Sequence, residues 1–567
     1  MKKNFIETLL IIVLTLGIVF PLFRPGFFEF HDNTTVVRVF EMTKSLQGGM
    51  FPVRWVEDLG YGYGYPIFNF YGPTPYYIGS VFNLIGFDVL FSTKIMLVLG
   101  MLFSSLSMFY LVKKLYGVSP AIVSSVFYAY FPYHAVNLYV RGAVGELFAY
   151  AFLPLVFLSF FTLIKKTTLK TRNLPISLIS TGSFGIFLTS TSHNLTALML
   201  FVVLVPLMVL LFFVAEKRFN FLVLSVSIII IGLLLSSFYI IPAVLEMKFT
   251  NVTSQVGGGA DFSDHYICLT QLWDSQWGFG GSTRGCLDGL SFKLGKVGVI
   301  LLAFSFGLLS LRLYNRKFHY EEKVALGAVI LVVFSVFLTL PVSKFLWEAL
   351  PFMEYIQYPW RFLNFISLGV AVLIGYLFFR IPKNLNSKTV TLAVILVVFL
   401  LTFSNQKLFN PQFYTNYKSE FYTNEEYIKY TVSKISDEYM PKSFQKPQSF
   451  SDLPPAKIVI EKGIGIINDQ NADPFSINAS YVAQTDLLLH LNLAYFPAWK
   501  AKINGNDAEL KSDPRGMKLE VSEGAGTIGI KFIQTPVEKI ANALSTLAFL
   551  GVLIVIMLKI FYGKKAT

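Results

Sequence analysis

Charge is scarce in this sequence. Asp, Glu, Lys and Arg make up 14% of the 567 residues, against 54% hydrophobic ones, and the mean hydropathy is +0.58. Soluble domains carry close to twice that share of charge, so the composition excludes a chain folded wholly in water and indicates a polytopic α-helical membrane protein. Cysteine is almost missing as well, with only Cys268 and Cys286, which rules out a cysteine-based metal cluster. The six histidines, His31, His134, His193, His265, His319 and His490, are scattered without ligand spacing, and there is no Gly-rich nucleotide loop. Internal repeats and low-complexity tracts are also absent, which weakens any reading built on paired transporter halves.

The net charge of +13 comes from short basic clusters between apolar runs. These are Lys113-Lys114, Lys165-Lys166 with Lys170 and Arg172, Lys217-Arg218, Arg312 with Arg316-Lys317, Arg380 with Lys383 and Lys388, and Lys564-Lys565. Such clusters set membrane orientation and do not build a nucleic-acid groove, so no nucleic-acid partner is expected. Residues 405–535, by contrast, are nearly neutral, with 14 Lys and Arg against 15 Asp and Glu.

Apolar runs of spanning length lie near 4–22, 91–112, 118–137, 145–164, 174–191, 194–214, 220–245, 294–311, 323–342, 363–379, 389–405 and 540–559. That is about 12 transmembrane helices. The first follows Lys2-Lys3 and is not followed by a small-residue cleavage site, so it reads as a retained signal anchor rather than a removed peptide. Placing both termini in the cytoplasm puts every basic cluster on that side. The short run 73–88, with Pro73 and Pro75, reads as an interfacial or re-entrant helix. The expected organisation is a transmembrane domain over 1–404 with a long first outer loop (23–90), an extracytoplasmic β-rich domain over 405–536, and a final helix with a cytoplasmic tail over 537–567. The β-rich domain is read from Asn504-Gly505, a hairpin signal, and from the period-two run Thr527 to Phe532. Saccharide binding and simple packing over the membrane part both suit it.

The residues that carry chemistry collect on the outer side. His31-Asp32 heads a loop rich in Tyr, Phe, Trp and Gly, where aromatic rings suit either a sugar-binding floor or a membrane-interface belt, and where Arg54 is free to meet a phosphate. Arg141 and Glu146 share one turn, as a structural ion pair or as a functional one. His193-Asn194 lies between two runs, Asn194 suiting a helix cap and His193 a phosphate donor. Trp360 and Arg361, in Tyr358-Pro359-Trp360-Arg361, suit either an interface anchor or a clamp on an anionic head group. Cys268 and Cys286 fall in one outer loop and are expected to form a disulfide, two free thiols being the alternative.

Taken in order, His-Asp, Gly-Gly-Met-Phe-Pro-Val-Arg-Trp (48–55), Gly-Tyr-Gly-Tyr-Pro (62–66), Phe-Tyr-Gly-Pro (70–73), Arg141-Gly142 with Glu146, His193-Asn194 and Tyr358 to Arg361 form a pattern. The pattern resembles the 6-pyruvoyl-tetrahydropterin synthase-related membrane proteins and, more broadly, the YfhO-like and GT-C glycosyltransferases. Tyr495-Phe496-Pro497-Ala498-Trp499-Lys500 is similar to a Phe-Pro-Gly-Trp segment of YfhO-like outer domains, with Ala498 in place of Gly. The resemblance implies a GT-C-like fold in the prokaryotic cytoplasmic membrane. It also implies sugar transfer from a polyprenyl-phosphate donor to an extracytoplasmic glycan or lipid acceptor, inverting, with Asp32 as base. His31, Arg54, Arg141, Glu146, His193, Trp360 and Arg361 are then the expected substrate-binding residues, with Glu41, Glu57 and Asp58 as possible helpers. No cofactor follows for certain; a divalent metal fits the family, but Asn33 stands where many relatives pair a second acid. The rival functions are a transporter or flippase for lipid-linked saccharides and a non-catalytic cell-envelope assembly protein.

Overall fold

The computed structural model describes residues 2–165, 169, 174–382 and 386–563. Lys166, Lys170, Arg172, Lys383, Lys564 and Lys565 of the basic clusters lie outside the described residues. Among the described residues, ten helices are long and apolar enough to cross a membrane: Asn4–Phe23, Val89–Tyr116, Val144–Leu163, Asn194–Val214, Arg218–Leu235, Lys296–Tyr314, Tyr320–Thr339, Pro359–Phe379, Ser387–Leu408 and Pro536–Phe561. The chain is a multi-pass membrane protein. Glu7, the one acid in the first helix, is neutralised by Lys113 at 2.5 Å.

Two of the twelve expected spans fall short of that standard. The run 118–137 is helical only over Val118–Ala129; Phe131 is extended before Pro132, as a pre-proline residue prefers, and a short wide helical turn over Val136–Arg141 follows. The run 174–191 forms Ile176–Ser192, 17 residues long and rich in Ser, Thr and Gly. Its small residues let it press against Val144–Leu163, where a Cβ at Gly185 would come within 2.9 Å of the Val156 backbone nitrogen. The run 220–245 breaks at Ser236 into Arg218–Leu235 and Ser237–Leu245.

Residues 23–90, the expected first outer loop, fold into a layer. It contains the helices Thr35–Gln47 and Thr74–Leu84, which pack on each other and on Val89–Tyr116. Val81, Leu84, Ile85 and Phe87 leave an exposed apolar edge beside it. Its start is pinned by a two-residue antiparallel pairing of Phe27–Phe28 with Tyr414–Thr415.

Two antiparallel sheets precede the last helix. One orders Ile458–Lys462, Leu487–Leu491, Gly516–Val521 and Lys511–Asp513; the other orders Gly465–Asp473, Ser476–Ala483, Gly524–Phe532, Trp499–Ile503 and Asn506–Ala508. Alternate side chains such as Ile528 and Ile530, or Leu487, Leu489 and Leu491, are buried, as period-two patterning requires. Asn504 (φ 51) and Gly505 (φ +84) make the tight turn between Trp499–Ile503 and Asn506–Ala508, a left-handed pair that Asn-Gly adopts at little cost. The sheets dock on the first outer layer through Trp499, edge-on to Trp55 at 5.3 Å, and through the Ala494 N–H, which donates to the Tyr63 carbonyl (3.0 Å).

Candidate functional site

A cavity of about 530 Å³ opens where the first outer layer, the Arg141 turn, residues 246–293, the start of Pro359–Phe379 and residues 435–439 meet. His31, Asp32, Arg141, Glu146, His193, Trp360 and Arg361 all line it. The backbone places Asp32 there directly: the His31 N–H donates to the Val140 carbonyl (3.0 Å) and the Asp32 N–H to the Arg141 carbonyl (3.1 Å). This pairing needs Gly142 in the left-handed region (φ +67), since a Cβ there would run into the Phe30 ring.

Glu146 is the hub, with 0% exposure. Its Oε1 accepts from the Tyr133 hydroxyl (2.6 Å) and from Asn364 Nδ2 (2.8 Å), and its Oε2 accepts from Arg141 Nη1 (2.8 Å). Arg361 Nε lies 3.6 Å from the same Oε2. Arg141 Nη1 also reaches Asn137 Oδ1 (2.7 Å), and its guanidinium carbon sits 4.6 Å from the Trp360 ring. Burial works against the charge of Arg141, but Glu146, Tyr133 and Asp32 hold its pKa above the usual arginine value. Arg361 is oriented by the Ile356 carbonyl (2.7 Å) and by Gln357 Oε1 (3.2 Å). Gln357 has φ +66, a backbone strain of the kind that gathers at binding sites.

Asp32 contrasts with Glu146. It is exposed to the cavity and its carboxylate makes no hydrogen bond or ion pair among the described residues. His193 is held near neutrality of charge: desolvation, with Arg361 and Arg141 nearby, pushes it down to about 3 against the pull of Glu146. Its Nδ1 accepts the Thr196 backbone N–H (3.2 Å), so the neutral ring carries its proton on Nε2.

Residues 68–256 match the model of the 6-pyruvoyl-tetrahydropterin synthase related domain, a membrane protein. The matched stretch holds Arg141, Glu146 and His193, while Asp32 and Arg361 flank it. Among solved structures, the arabinofuranosyltransferase AftD from Mycobacteria is similar over 74% of this chain and 28% of its own, at 12% identity and a TM-score of 0.48. The Archaeoglobus fulgidus oligosaccharyltransferase AglB, in complex with an inhibitory peptide and a dolichol-phosphate, is similar over 72% and 55%, at 12% identity and 0.46. ArnT from Cupriavidus metallidurans, bound to undecaprenyl phosphate, is similar over 78% of each chain, at 11% identity and 0.38. The chain therefore spans about 28% of the first and 55% of the second. None of the curated proteins matches it.

Several expected site residues lie elsewhere. Arg54 is 1% exposed and outside the cavity, its guanidinium taken by Asn69 Oδ1 (2.9 Å), the Phe238 carbonyl (2.7 Å) and Asn542 Oδ1 (2.6 Å). It braces the last helix against the first outer layer, so no phosphate can reach it without breaking that brace. Glu57 and Asp58 pair with Lys44 (3.0 and 2.6 Å), and Glu41 accepts the Asp58 N–H (3.2 Å). None of the three lines the cavity, so they cannot help Asp32 there. Asn33 Oδ1 accepts the Phe30 N–H (3.1 Å), and among the described residues no three His, Cys, Asp or Glu side chains gather as ligands would. Cys268 and Cys286 are joined as a disulfide.

Other residues were not legible in advance. Arg38, buried on Thr35–Gln47, donates to Ser436 Oγ (2.8 Å) and lies over the Tyr71 ring at 4.1 Å. Glu438, from the segment before the sheets, also faces the cavity, and burial pushes its carboxyl up. His265 and Ser282 come from residues 246–293. Only a helical reading of 35–47 could have found Arg38; the others depend on long-range packing.

Proposed function

We propose that the protein is a membrane glycosyltransferase that moves a sugar from a polyprenyl-phosphate donor to an extracytoplasmic acceptor. The observation that carries this reading is one cavity holding an unpaired, accessible carboxylate, Asp32, beside two buried guanidiniums, Arg141 and Arg361. Asp32 takes the proton of an acceptor hydroxyl as that oxygen attacks the anomeric carbon. The bond from that carbon to the phosphate oxygen breaks, and the phosphate leaves with the electron pair. Arg141, Arg361 and the His193 Nε2–H meet the charge on the leaving oxygen, and Glu146 keeps both arginines aimed. One displacement inverts the anomeric centre.

The site is read as extracytoplasmic in a prokaryotic cytoplasmic membrane, with both termini on the other side. The Cys268–Cys286 disulfide, in the segment 246–293 that supplies part of the cavity wall, suits an oxidising compartment, and Lys113, Lys114, Arg312 and Arg380 lie at the C-terminal ends of their helices.

The test is incubation of purified protein with a panel of polyprenyl-phosphate sugars, followed by mass spectrometry. Wild type should release polyprenyl phosphate, and Asp32→Asn should lose about 10²- to 10⁴-fold in rate with its melting temperature unchanged. Turnover by the variant at the wild-type rate would sink the assignment.

A further inference from the structure

The wall formed by residues 246–293 holds a hydrogen-bond chain that the transfer step does not use. Trp360 donates its indole N–H to Ser282 Oγ (3.1 Å), Ser282 Oγ lies 2.7 Å from His265 Nδ1, and His265 Nε2 lies 3.0 Å from the Gly259 carbonyl oxygen. Both ends of this chain run one way only, because an indole N–H can only donate and a carbonyl can only accept. His265 Nε2 therefore carries a proton. In the neutral imidazole Nδ1 is then a lone pair, and the Ser282 hydroxyl must donate to it. Ser282 Oγ has accepted once and donated once, so one lone pair remains, on a half-buried side chain of the cavity wall. Donation of its own hydrogen to His265 polarises that oxygen as an acceptor, and the Trp360 N–H fixes where the remaining lone pair points.

Trp360 is fixed for this task and closed to others. It is 2% exposed, Phe292 and Tyr358 stack on it with centroids 5.7 and 4.9 Å away, and Arg141 covers its ring. No open indole face is left to stack a sugar. The Cys268–Cys286 disulfide ties together the two segments that carry His265 and Ser282.

We propose that Ser282, positioned by His265 and Trp360, is a hydroxyl-recognition point for an uncharged sugar ring. It accepts one hydroxyl of that ring and sets specificity by rejecting the matching deoxy sugar. The glycosyl-transfer reading supplies the class of ligand here; the directionality of the chain supplies the role of Ser282. A buried group built to pair with a hydroxyl discriminates against its absence far more sharply than shape alone does.

The experiment is calorimetric titration of the full chain in nanodiscs with methyl glucoside, galactoside, mannoside and arabinofuranoside and their monodeoxy forms, and separately with undecaprenyl phosphate. We expect wild type to bind at least one glycoside and to bind one of its deoxy forms about 10-fold or more weakly. Ser282→Ala should erase that difference while still binding undecaprenyl phosphate, and Ser282→Thr should keep it. Trp360→Phe, which retains the ring but removes the donor, should reduce the difference and serves if Ser282→Ala does not fold. Unchanged deoxy discrimination in Ser282→Ala, or no glycoside binding by wild type, overturns the inference. Ser282-dependent discrimination without any binding of undecaprenyl phosphate would instead overturn the donor assignment and leave the recognition point standing.

Discussion

The two ends of Pro359–Phe379 carry nearly the same cluster. At one end, buried Glu146 meets Arg141, Arg361 and Tyr133. Just past the other end, some 30 Å away at 1.5 Å per residue, buried Glu322 meets Arg312 (3.1 Å), Arg380 (2.6 Å) and Tyr376 (3.0 Å). One carboxylate, two arginines and a tyrosine are thus no signature of a site. The difference lies in the surroundings. Arg380 is also shared with Glu321 at 3.3 Å, and none of these residues lines the cavity. Around Glu146, a second carboxylate stands unpaired, a neutral histidine offers a proton donor, and the arginines border open volume. The Glu322 cluster locks helix ends together; the Glu146 cluster presents positive charge to a ligand.

The largest expected effect separates them. Glu146→Gln leaves two buried guanidiniums without their carboxylate and should lose about 3–5 kcal/mol of stability, read from thermal unfolding in nanodiscs; Glu322→Gln should lose less, because Arg312 and Arg380 are only half-buried and Arg380 keeps Glu321. An anionic ligand can replace the lost charge only where a cavity admits it. At one fixed concentration of undecaprenyl phosphate, about 100 times the wild-type Kd, Glu322→Gln should gain the same stability as wild type, about 2.7 kcal/mol, and Glu146→Gln should gain more, because there the phosphate also takes the place of the lost carboxylate. Equal responses from the two variants would erase the distinction.

How far the sequence goes follows the same divide. Helices of spanning length are legible because the bilayer demands long apolar runs, and they fail where Pro132 or a Ser-Thr-Gly face interrupts that demand. Arg141, Glu146, His193 and Arg361 stand out because ionisable residues at span ends are few. Arg54 had the same local look and proved a brace, because its partners Asn69, Phe238 and Asn542 are scattered along the chain. Arg38, His265, Ser282 and Glu438 were missed for the converse reason: each reaches the cavity through long-range packing that the local sequence does not show. Pattern reports which residues must avoid lipid, whereas partners decide which of them remain available.

A third buried carboxylate sharpens the point through pH. Glu246 accepts from Thr535 Oγ1 (2.5 Å) near Glu538 and Arg54, and burial raises it from 4.5 to about 7. Its folded pKa lies above the unfolded one, so its burial costs nothing while the group is protonated in both states, below about pH 4.5. The cost grows as pH rises through 7. Stability should therefore fall between pH 5 and 8 by up to about 3 kcal/mol on this account. Glu246→Gln should flatten that fall, measured as melting temperature against pH. An equally steep fall in the variant would assign the pH response to other groups and leave Glu246 with no part in it.

The smallest effect sets the scale for the others. Gly505 lies in the hairpin turn at φ +84 with open space where a Cβ would go, so Gly505→Ala meets no clash and carries only the backbone penalty of a left-handed alanine. About 1 kcal/mol should be lost from the sheets, visible as a small drop in melting temperature. The turn touches neither arginine cluster nor the cavity, so the affinity for undecaprenyl phosphate should be that of wild type. Should affinity fall with this change, the sheets and the cavity would be energetically coupled, through Trp499 on Trp55 and Ser436 on Arg38, and losses measured at Glu146 would no longer report on the site alone.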